Sequence, residues 1–433
     1  MTFNRKTFLK RCGVGLAGLG LGRVSAAAAA PATRAAAEGI SLPVWDAKAP
    51  HRFWAAARQA YEFKPSLHYF NTGGLGPCPT AVRVYTERMA AQMESIVETG
   101  HGRLEAAREK TAEFMGCAVD EVSYVRNTTE GNGIIAGGLS LDRGDEVIFE
   151  SHAHPGGSFP WLLQAQQKGI AVRLFEPDPD SAEGNVTRLE ALITARTKVV
   201  QVSHVTAPTG IRMPVERIAA ICRERGIWFH VDGAQTTGML PINFAAMGCD
   251  SYATSGHKWL GAPRETGLLL VKKFRQDLVV PPLAGAYTAE LESLPGPLEF
   301  TPTAGRYEYG TRDIARIEGV VEAMRWHEAL GQERVAAHGR ELVARLRAGL
   351  AEVPDLEILS PSDPALGSAM LTMRSPRLGY RELFGALWGK HHMRCRPVSE
   401  QGLDAVRVSC HLFNSADEMD QLAAAVKTEL AAV

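Results

Sequence analysis

Several features that mark other protein classes are missing from this chain. Its 47 Lys and Arg residues are balanced by 48 Asp and Glu residues, so there is no basic excess to hold nucleic acid. Its seven cysteines include no CxxC pair and no zinc-like spacing, so no metal site is predicted. With 433 residues, 45% hydrophobic and 22% charged, the composition predicts an ordinary globular protein of two or three domains.

The first 30 residues differ from the globular sequence that follows. A basic segment at 5–11 precedes a short apolar segment at 12–22, and a run of small residues ends at Ala30. This order is typical of an export signal, and the apolar segment is too short for a stable membrane anchor. Arg5-Lys6 resembles a twin-arginine box with lysine at its second position. We therefore predict a periplasmic or secreted protein that uses the twin-arginine export machinery.

Strand and helix patterns alternate from residue 120 to about 271. This rhythm predicts a mainly parallel sheet, because helices connect parallel strands. The seven predicted strands are Val122–Val125, Glu146–Phe149, Ala171–Phe175, Lys198–Val202, Ile227–Val231, Ser251–Thr254 and Gly267–Val271. We expect an aromatic lead-in segment at 31–65, a large α/β domain at 66–320 and a smaller α/β domain at 321–433.

Asp232 and Lys258 each follow a predicted strand. Since ligands bind beyond the carboxyl ends of parallel strands, both side chains are expected at the same edge of the sheet. A lysine amine can form a Schiff base with the aldehyde of pyridoxal phosphate (PLP), and a carboxylate opposite the pyridine nitrogen keeps that nitrogen protonated. The pair therefore predicts PLP chemistry.

A second strand end offers a place for a phosphate group. Asn127-Thr128-Thr129 follows the strand Val122–Val125 and begins a helical pattern. Backbone N–H groups at a helix amino terminus bind anions, so we predict a phosphate site there.

With these residues placed, the chain from about residue 66 to its end resembles the class V aminotransferase family of fold-type I PLP-dependent enzymes. The resemblance is carried by Asp232, Gln235 and Ser255-Gly256-His257-Lys258. Segments 257–264 and 309–313 are most similar to the isopenicillin N epimerase branch of that family, some of whose neighbours are exported enzymes that tailor siderophores. The resemblance implies a large domain with a mainly parallel seven-stranded sheet, a smaller carboxyl-terminal domain and a homodimer.

The resemblance also implies roles for the cofactor-binding side chains. Lys258 is the Schiff-base lysine, Asp232 the pyridinium partner and Gln235 a hydrogen-bond donor to the ring hydroxyl. His152 stacks on the ring, with His154 as the alternative. The implied phosphate ligands are Asn127, Thr128, Thr129, Ser255 and His257, together with Thr311 from a neighbouring subunit.

Substrate binding and proton transfer complete the implied site. Arg407 matches the family's carboxylate-binding arginine, whose planar fork suits an α-carboxylate, and Arg396 is a second candidate. Asn71, in a Gly-rich turn, could also contact the substrate. Lys258, His152 and Asp232 are the expected catalytic residues.

PLP leaves several reactions open. The predicted reaction is transfer of the amino group, or inversion of the carbon that bears it, on an amino acid or a peptide-linked amino acid. A cysteine desulfurase needs a mobile cysteine soon after the arginine of its small domain, but Arg396 is followed by Pro397-Val398-Ser399-Glu400. A lyase and a non-catalytic PLP-fold binding protein also stay open, although the complete set of cofactor residues argues against the non-catalytic protein.

Overall fold

The computed structural model describes residues 42–290 and 293–433. The predicted export signal at 1–30 lies outside these residues and stays a prediction. Among the helices of the described part, none is long and apolar enough to cross a membrane.

A seven-stranded sheet organises the larger part of the molecule. Its strands are β1 (Val122–Val125), β2 (Glu146–Glu150), β3 (Ala171–Phe175), β4 (Thr197–Ser203), β5 (Trp228–Asp232), β6 (Ser251–Ser255) and β7 (Gly267–Val271). Their spatial order is β1-β7-β6-β5-β4-β2-β3. Only β7 runs against the others, since it pairs antiparallel with both of its neighbours. The prediction of a mainly parallel seven-stranded sheet is therefore confirmed.

Helices cover both faces of this sheet. Every residue of β1, β2, β5, β6 and β7 is buried, as expected for strands that helices cover on both faces. The helices are α1 (Pro50–Arg58), α2 (Thr80–Ile96), α3 (Leu104–Met115), α4 (Thr128–Gly138), α5 (Pro155–Lys168), α6 (Ala182–Glu190), α7 (Val215–Glu224), α8 (Phe244–Met247), α9 (Ile314–Leu330), α10 (Gln332–Leu350), α11 (Tyr380–His391) and α12 (Ala416–Ala431).

A second, smaller sheet lies in the carboxyl-terminal part. Its strands are β8 (Glu357–Ile358), β9 (Met370–Arg374), β10 (Arg396–Val398) and β11 (Ala405–Ser409), in the antiparallel order β8-β9-β11-β10. Helices α10, α11 and α12 contribute buried side chains to the core of this part. The predicted domain boundary at residues 320/321 falls inside helix α9 and stays a prediction.

The aromatic lead-in segment is part of the folded body from residue 42 onward. Phe53 and Trp54 of helix α1 are buried, and the Trp54 ring stacks on His338 of α10 with ring centroids 4.3 Å apart. Phe413 belongs to the same apolar cluster. These contacts fasten the lead-in to the carboxyl-terminal part, beside the turn that carries Asn71.

Between β7 and α9 the chain is mostly irregular, as its proline content predicts. Its described residues, up to 290 and from 293, contain two 3-10 turns, Lys273–Leu278 and Ala304–Tyr307, and one short antiparallel pair, Ala289–Glu290 with Glu299–Phe300.

Candidate active site

The strand ends of the large sheet open into one cavity of about 310 Å³. Strands β1, β5 and β6 deliver groups to it because they run in the same direction and end at the same edge of the sheet. Predicted site residues on its wall are Asn127, Thr128, Thr129, Asp232, Gln235, Ser255, His257, Lys258, Arg396 and Arg407. Further wall residues include Asn132, His154 and Ala207.

Lys258 lies between the two ends of the cavity, just after strand β6. Burial lowers the pKa of its amine to about 8, with Asp232 opposing this shift and the cationic Arg407 and Arg396 reinforcing it. The backbone before Lys258 is held by a hydrogen bond from the Gly76 N–H to the His257 carbonyl, at 2.8 Å. A β-carbon on Gly76 would lie 1.7 Å from the Lys258 carbonyl oxygen, so only glycine allows this approach.

Asp232 is at the end of strand β5 and is 5% exposed. Its Oδ1 accepts from the Ala234 backbone N–H at 2.9 Å, and its Oδ2 accepts from the Asn132 side chain at 2.8 Å. Both donors point at the carboxylate and hold it in a fixed orientation at the cavity wall. Such a fixed anion is what a protonated pyridine nitrogen requires.

The opposite end of the cavity is suited to a phosphate. Helix α4 begins there with Asn127 as its N-cap, whose side chain accepts from the Glu130 N–H at 2.9 Å. The Thr128 and Ser255 hydroxyls lie 2.6 Å apart, so loops from β1 and β6 meet at this point. The free backbone N–H groups of the first helical turn and these hydroxyls form a donor set that fits an anion.

Gln235 lies beside the Gly-rich turn that closes the cavity. Its amide nitrogen donates to the Gly73 carbonyl at 2.9 Å, and its amide oxygen accepts from the Trp259 indole at 2.8 Å. An amide carries two N–H hydrogens, so one remains for a ligand oxygen. This arrangement agrees with the predicted contact to the ring hydroxyl.

The two histidines after strand β2 have different surroundings. His154 lines the cavity, and its Nδ1 accepts from the Gly156 N–H at 3.0 Å. His152 is buried outside the cavity wall, with its Nδ1 2.9 Å from the Thr209 hydroxyl and its Nε2 3.2 Å from Glu176. The prediction for His152 differs from the structure here: the histidine in position to face a bound ring is His154, two residues later.

Arg407 is the most deeply buried cation of the site, at 1% exposure. One guanidinium nitrogen donates to the Ala207 carbonyl at 2.6 Å, and another donates to the Asn71 side chain at 3.1 Å. Its Nε has no hydrogen-bond partner within residues 42–290 and 293–433. Since neither acceptor is charged, Arg407 is a cation with room for an anionic ligand. Asn71 holds this arginine in place.

Arg396 lies directly across from Arg407 on the paired strands β10 and β11. Two like charges in such a position repel each other, and Arg396 contributes to a lowered pKa of Arg407, after burial. Glu400 supplies the counter-charge through an ion pair with Arg396. Arg396 and Glu400 are 23% and 26% exposed, so the pair lies at the mouth of the cavity rather than in its depth.

Thr311 is not on the wall of this cavity. It lines a separate one with Arg126, Glu265 and Arg312, and its own side chain is exposed. The prediction that it acts from a neighbouring subunit stays a prediction.

The residues present fit PLP. A carboxylate, a half-buried lysine of lowered pKa and a helix amino terminus line one cavity, and each complements one group of the cofactor. No cluster of His, Cys, Asp or Glu side chains suited to a metal ion occurs in residues 42–290 and 293–433.

Sequence reasoning missed Asn132 and Glu400. Asn132 stands in the same helix start as the predicted phosphate ligands, which was the one available signal.

Comparisons with known proteins agree with PLP as the cofactor. The family described as aminotransferase class-V matches residues 80–378. Isopenicillin N epimerase of Amycolatopsis lactamdurans is 30% identical over 395 residues, 86% of this chain and 98% of that protein. A probable cysteine desulfurase of Vibrio cholerae is 27% identical over 344 residues, 77% of this chain and 84% of that protein.

Among solved structures, the enzyme C-DES with glycine covalently linked to its PLP cofactor superposes with a TM-score of 0.78. It is 24% identical, and the match covers 86% of this chain and 98% of that one. This likeness confirms the predicted fold. Together with the family match over well more than half of the sequence, it leads to one conclusion: the chain belongs to the class V aminotransferase family of fold-type I PLP-dependent enzymes.

Proposed function

We propose that this protein acts on the amino-bearing carbon of an amino acid or a peptide-linked amino acid, as an aminotransferase or an epimerase. The observation that carries this proposal is the position of Lys258, which lies on one cavity wall with Asp232 at one side and Arg407 at another. Within the described part of the chain, the hydrogen-bond acceptors of Arg407 are uncharged. A substrate carboxylate on Arg407 would bring the neighbouring carbon toward the lysine.

Each residue then has a task that its surroundings support. PLP, when bound, withdraws electrons from the carbon that carries the substrate's amino group. Lys258, whose pKa of about 8 lies near neutral pH, can give or take a proton at that carbon. Arg407 orients the carboxylate through its fork. His154 covers the ring face, and the tautomer with a proton on Nε2 is fixed because Nδ1 accepts from Gly156.

The cysteines of the described part argue against a desulfurase. Their thiols are free, and none lines the cavity. Cys395, next to Arg396, is fully buried in the smaller core, and burial raises the pKa of its thiol to about 12. A sulfur acceptor must be a mobile thiolate, so Cys395 does not meet this requirement.

The protein is also proposed to be a homodimer in which Thr311 of the partner subunit reaches the phosphate end. Phe159, Leu162 and Leu163 support this assembly, because they expose apolar area on helix α5 next to the cavity.

Light scattering should give twice the 46.8 kDa mass of the full chain, or the corresponding value after any processing. Phe159→Glu should shift the mass toward the monomer and weaken PLP binding; a wild-type monomer that binds PLP tightly would contradict the assembly.

Hydrogen exchange at the substrate carbon tests the proposed activity. The PLP-loaded protein is incubated in heavy water with L- and D-amino acids and with peptides that present a free amino acid end. We expect deuterium at the amino-bearing carbon, because proton removal there is common to both reactions. Inversion identifies an epimerase, whereas a keto product identifies an aminotransferase.

Two controls make this test decisive. Lys258→Ala should abolish exchange by removing the proton carrier. Cysteine with a reductant should release no sulfide. A PLP-loaded protein that exchanges no donor, or that releases sulfide rapidly from cysteine, would show that the proposed activity is wrong.

The pKa of Lys258 predicts how PLP attachment depends on pH. Only the neutral amine attacks an aldehyde, so the rate of covalent attachment to the apoprotein should rise about tenfold per pH unit below 8 and level off above it. Borohydride reduction followed by peptide mass analysis measures attachment, and Lys258→Ala is the control. A rate that still rises steeply between pH 9 and 10 would indicate an amine with its ordinary pKa.

The ion pair of Glu400 with Arg396 predicts that the cavity prefers monocarboxylate over dicarboxylate ligands. Its carboxylate occupies the Arg396 fork, so Glu400→Gln should free that fork for a second carboxylate. We expect glutarate to bind roughly tenfold more tightly to this variant, while binding of the monocarboxylate butyrate changes less than about twofold. Calorimetric titration of both probes, with Glu400→Asp as the charge-retaining control, checks this. Equal changes for the two probes would rule out a role for the pair in selecting ligands.

A further inference from the structure

A chain of buried hydrogen bonds runs through the protein behind Asp232. The Trp228 indole lies 3.1 Å from the Ser251 hydroxyl, which lies 2.8 Å from His230 Nδ1. His230 Nε2 lies 2.8 Å from the Asn132 side-chain oxygen, and the Asn132 amide nitrogen lies 2.8 Å from Asp232 Oδ2. Apart from Asp232 and Trp228, at 5% and 4%, the members have no exposed area.

The direction of every hydrogen bond in this chain follows from its two ends. A carboxylate only accepts, so Asn132 must turn its NH₂ group to Asp232 and its oxygen to His230. That oxygen requires a proton on His230 Nε2, which leaves Nδ1 as an acceptor for the Ser251 hydroxyl. The Ser251 oxygen in turn accepts from the Trp228 indole, which can only donate.

All donors therefore point the same way, from Trp228 toward Asp232. Hydrogen bonds aligned in one direction polarise each other, and in a dry interior this strengthens the last bond of the series. The histidine in the middle stays neutral, since burial lowers the pKa of His230 to about 3. A protonated His230 would place a hydrogen on Nδ1 and break the order.

We propose that Asn132, His230 and Ser251 are positioning residues that act through Asp232 to keep the pyridine nitrogen of the cofactor protonated. Asn132 is the member that touches Asp232, and it is also tied to the Gly156 carbonyl at 3.0 Å, which fixes its orientation. The proposal reaches beyond the reaction type, because a protonated pyridine serves an aminotransferase and an epimerase alike.

A neighbouring buried pair serves as the structural comparison. Gln201 accepts from the Trp161 indole at 2.8 Å and donates to the Gly157 carbonyl at 3.1 Å. It is as buried as the members of the chain, but its last bond ends on a neutral backbone oxygen. A variant of Gln201 therefore loses similar core hydrogen bonds without touching the carboxylate.

Nitrogen NMR on the protein loaded with ¹⁵N-pyridine-labelled PLP reads the protonation state directly, without turnover. In the wild type we expect the shift of a protonated nitrogen across the pH range of stability. Asn132→Ala should move the nitrogen shift toward that of an unprotonated pyridine and weaken PLP binding about tenfold or more, because a carboxylate without its side-chain donor competes more strongly for the shared proton. Ser251→Ala should act in the same direction but only about two- to threefold, since it removes a remote link.

The comparison variant Gln201→Leu should leave the nitrogen shift unchanged and alter PLP binding less than about twofold. If Asn132→Ala does not fold, Ser251→Ala carries the test, because the hydroxyl removed is small. A nitrogen that stays protonated in the Asn132 and Ser251 variants, or that changes equally in the Gln201 variant, overturns the proposal. Either result would leave the proposed activity standing, since that is judged by deuterium exchange.

Discussion

The common direction of the sheet strands is the constraint on which the site depends. Six of the seven strands run the same way, so the loops that follow β1, β5 and β6 all leave from one edge. This brings Thr128, Asp232 and Lys258 to one cavity although they are far apart in the sequence. If any of these strands ran in the opposite direction, the side chain that follows it would lie at the other edge of the sheet. The cavity could then not bind both the ring and the phosphate of the cofactor.

Charge at this edge is arranged to serve two needs at once. Lys258, Arg396 and Arg407 bring three cations together, while Asp232 and Glu400 supply the carboxylates. The positive surroundings attract the anionic parts of cofactor and substrate. They also make the lysine less basic, as burial does, so that its amine can exchange protons near neutral pH. The same positive electrostatic potential therefore favours both anion binding and proton transfer by Lys258.

How far the sequence alone predicts this site depends on the kind of contact. The strands were predictable because short segments rich in apolar, aromatic and β-branched residues alternate with helical patterns, and Asp232 and Lys258 because each comes at or just after the end of such a strand. The sequence did not predict which of His152 and His154 lines the cavity, because a loop has no periodicity that indicates which side chain points inward. Asn132 was hidden for another reason: its partners His230 and Asp232 are distant in the sequence, and only the folded chain brings them together.

The two parts of the molecule divide the work of recognition. The candidate cofactor-binding groups on the cavity wall follow strands of the large sheet, whereas Arg396 and Arg407 come from strands β10 and β11 of the smaller one. Substitutions in the smaller part can therefore change the accepted substrate while the cofactor stays in place. Glu400 illustrates this, because it lies four residues after Arg396 and fills the stretch where a desulfurase would need a mobile thiolate. A carboxylate there cannot accept sulfur, but it can set the charge that a substrate meets on its way to Lys258.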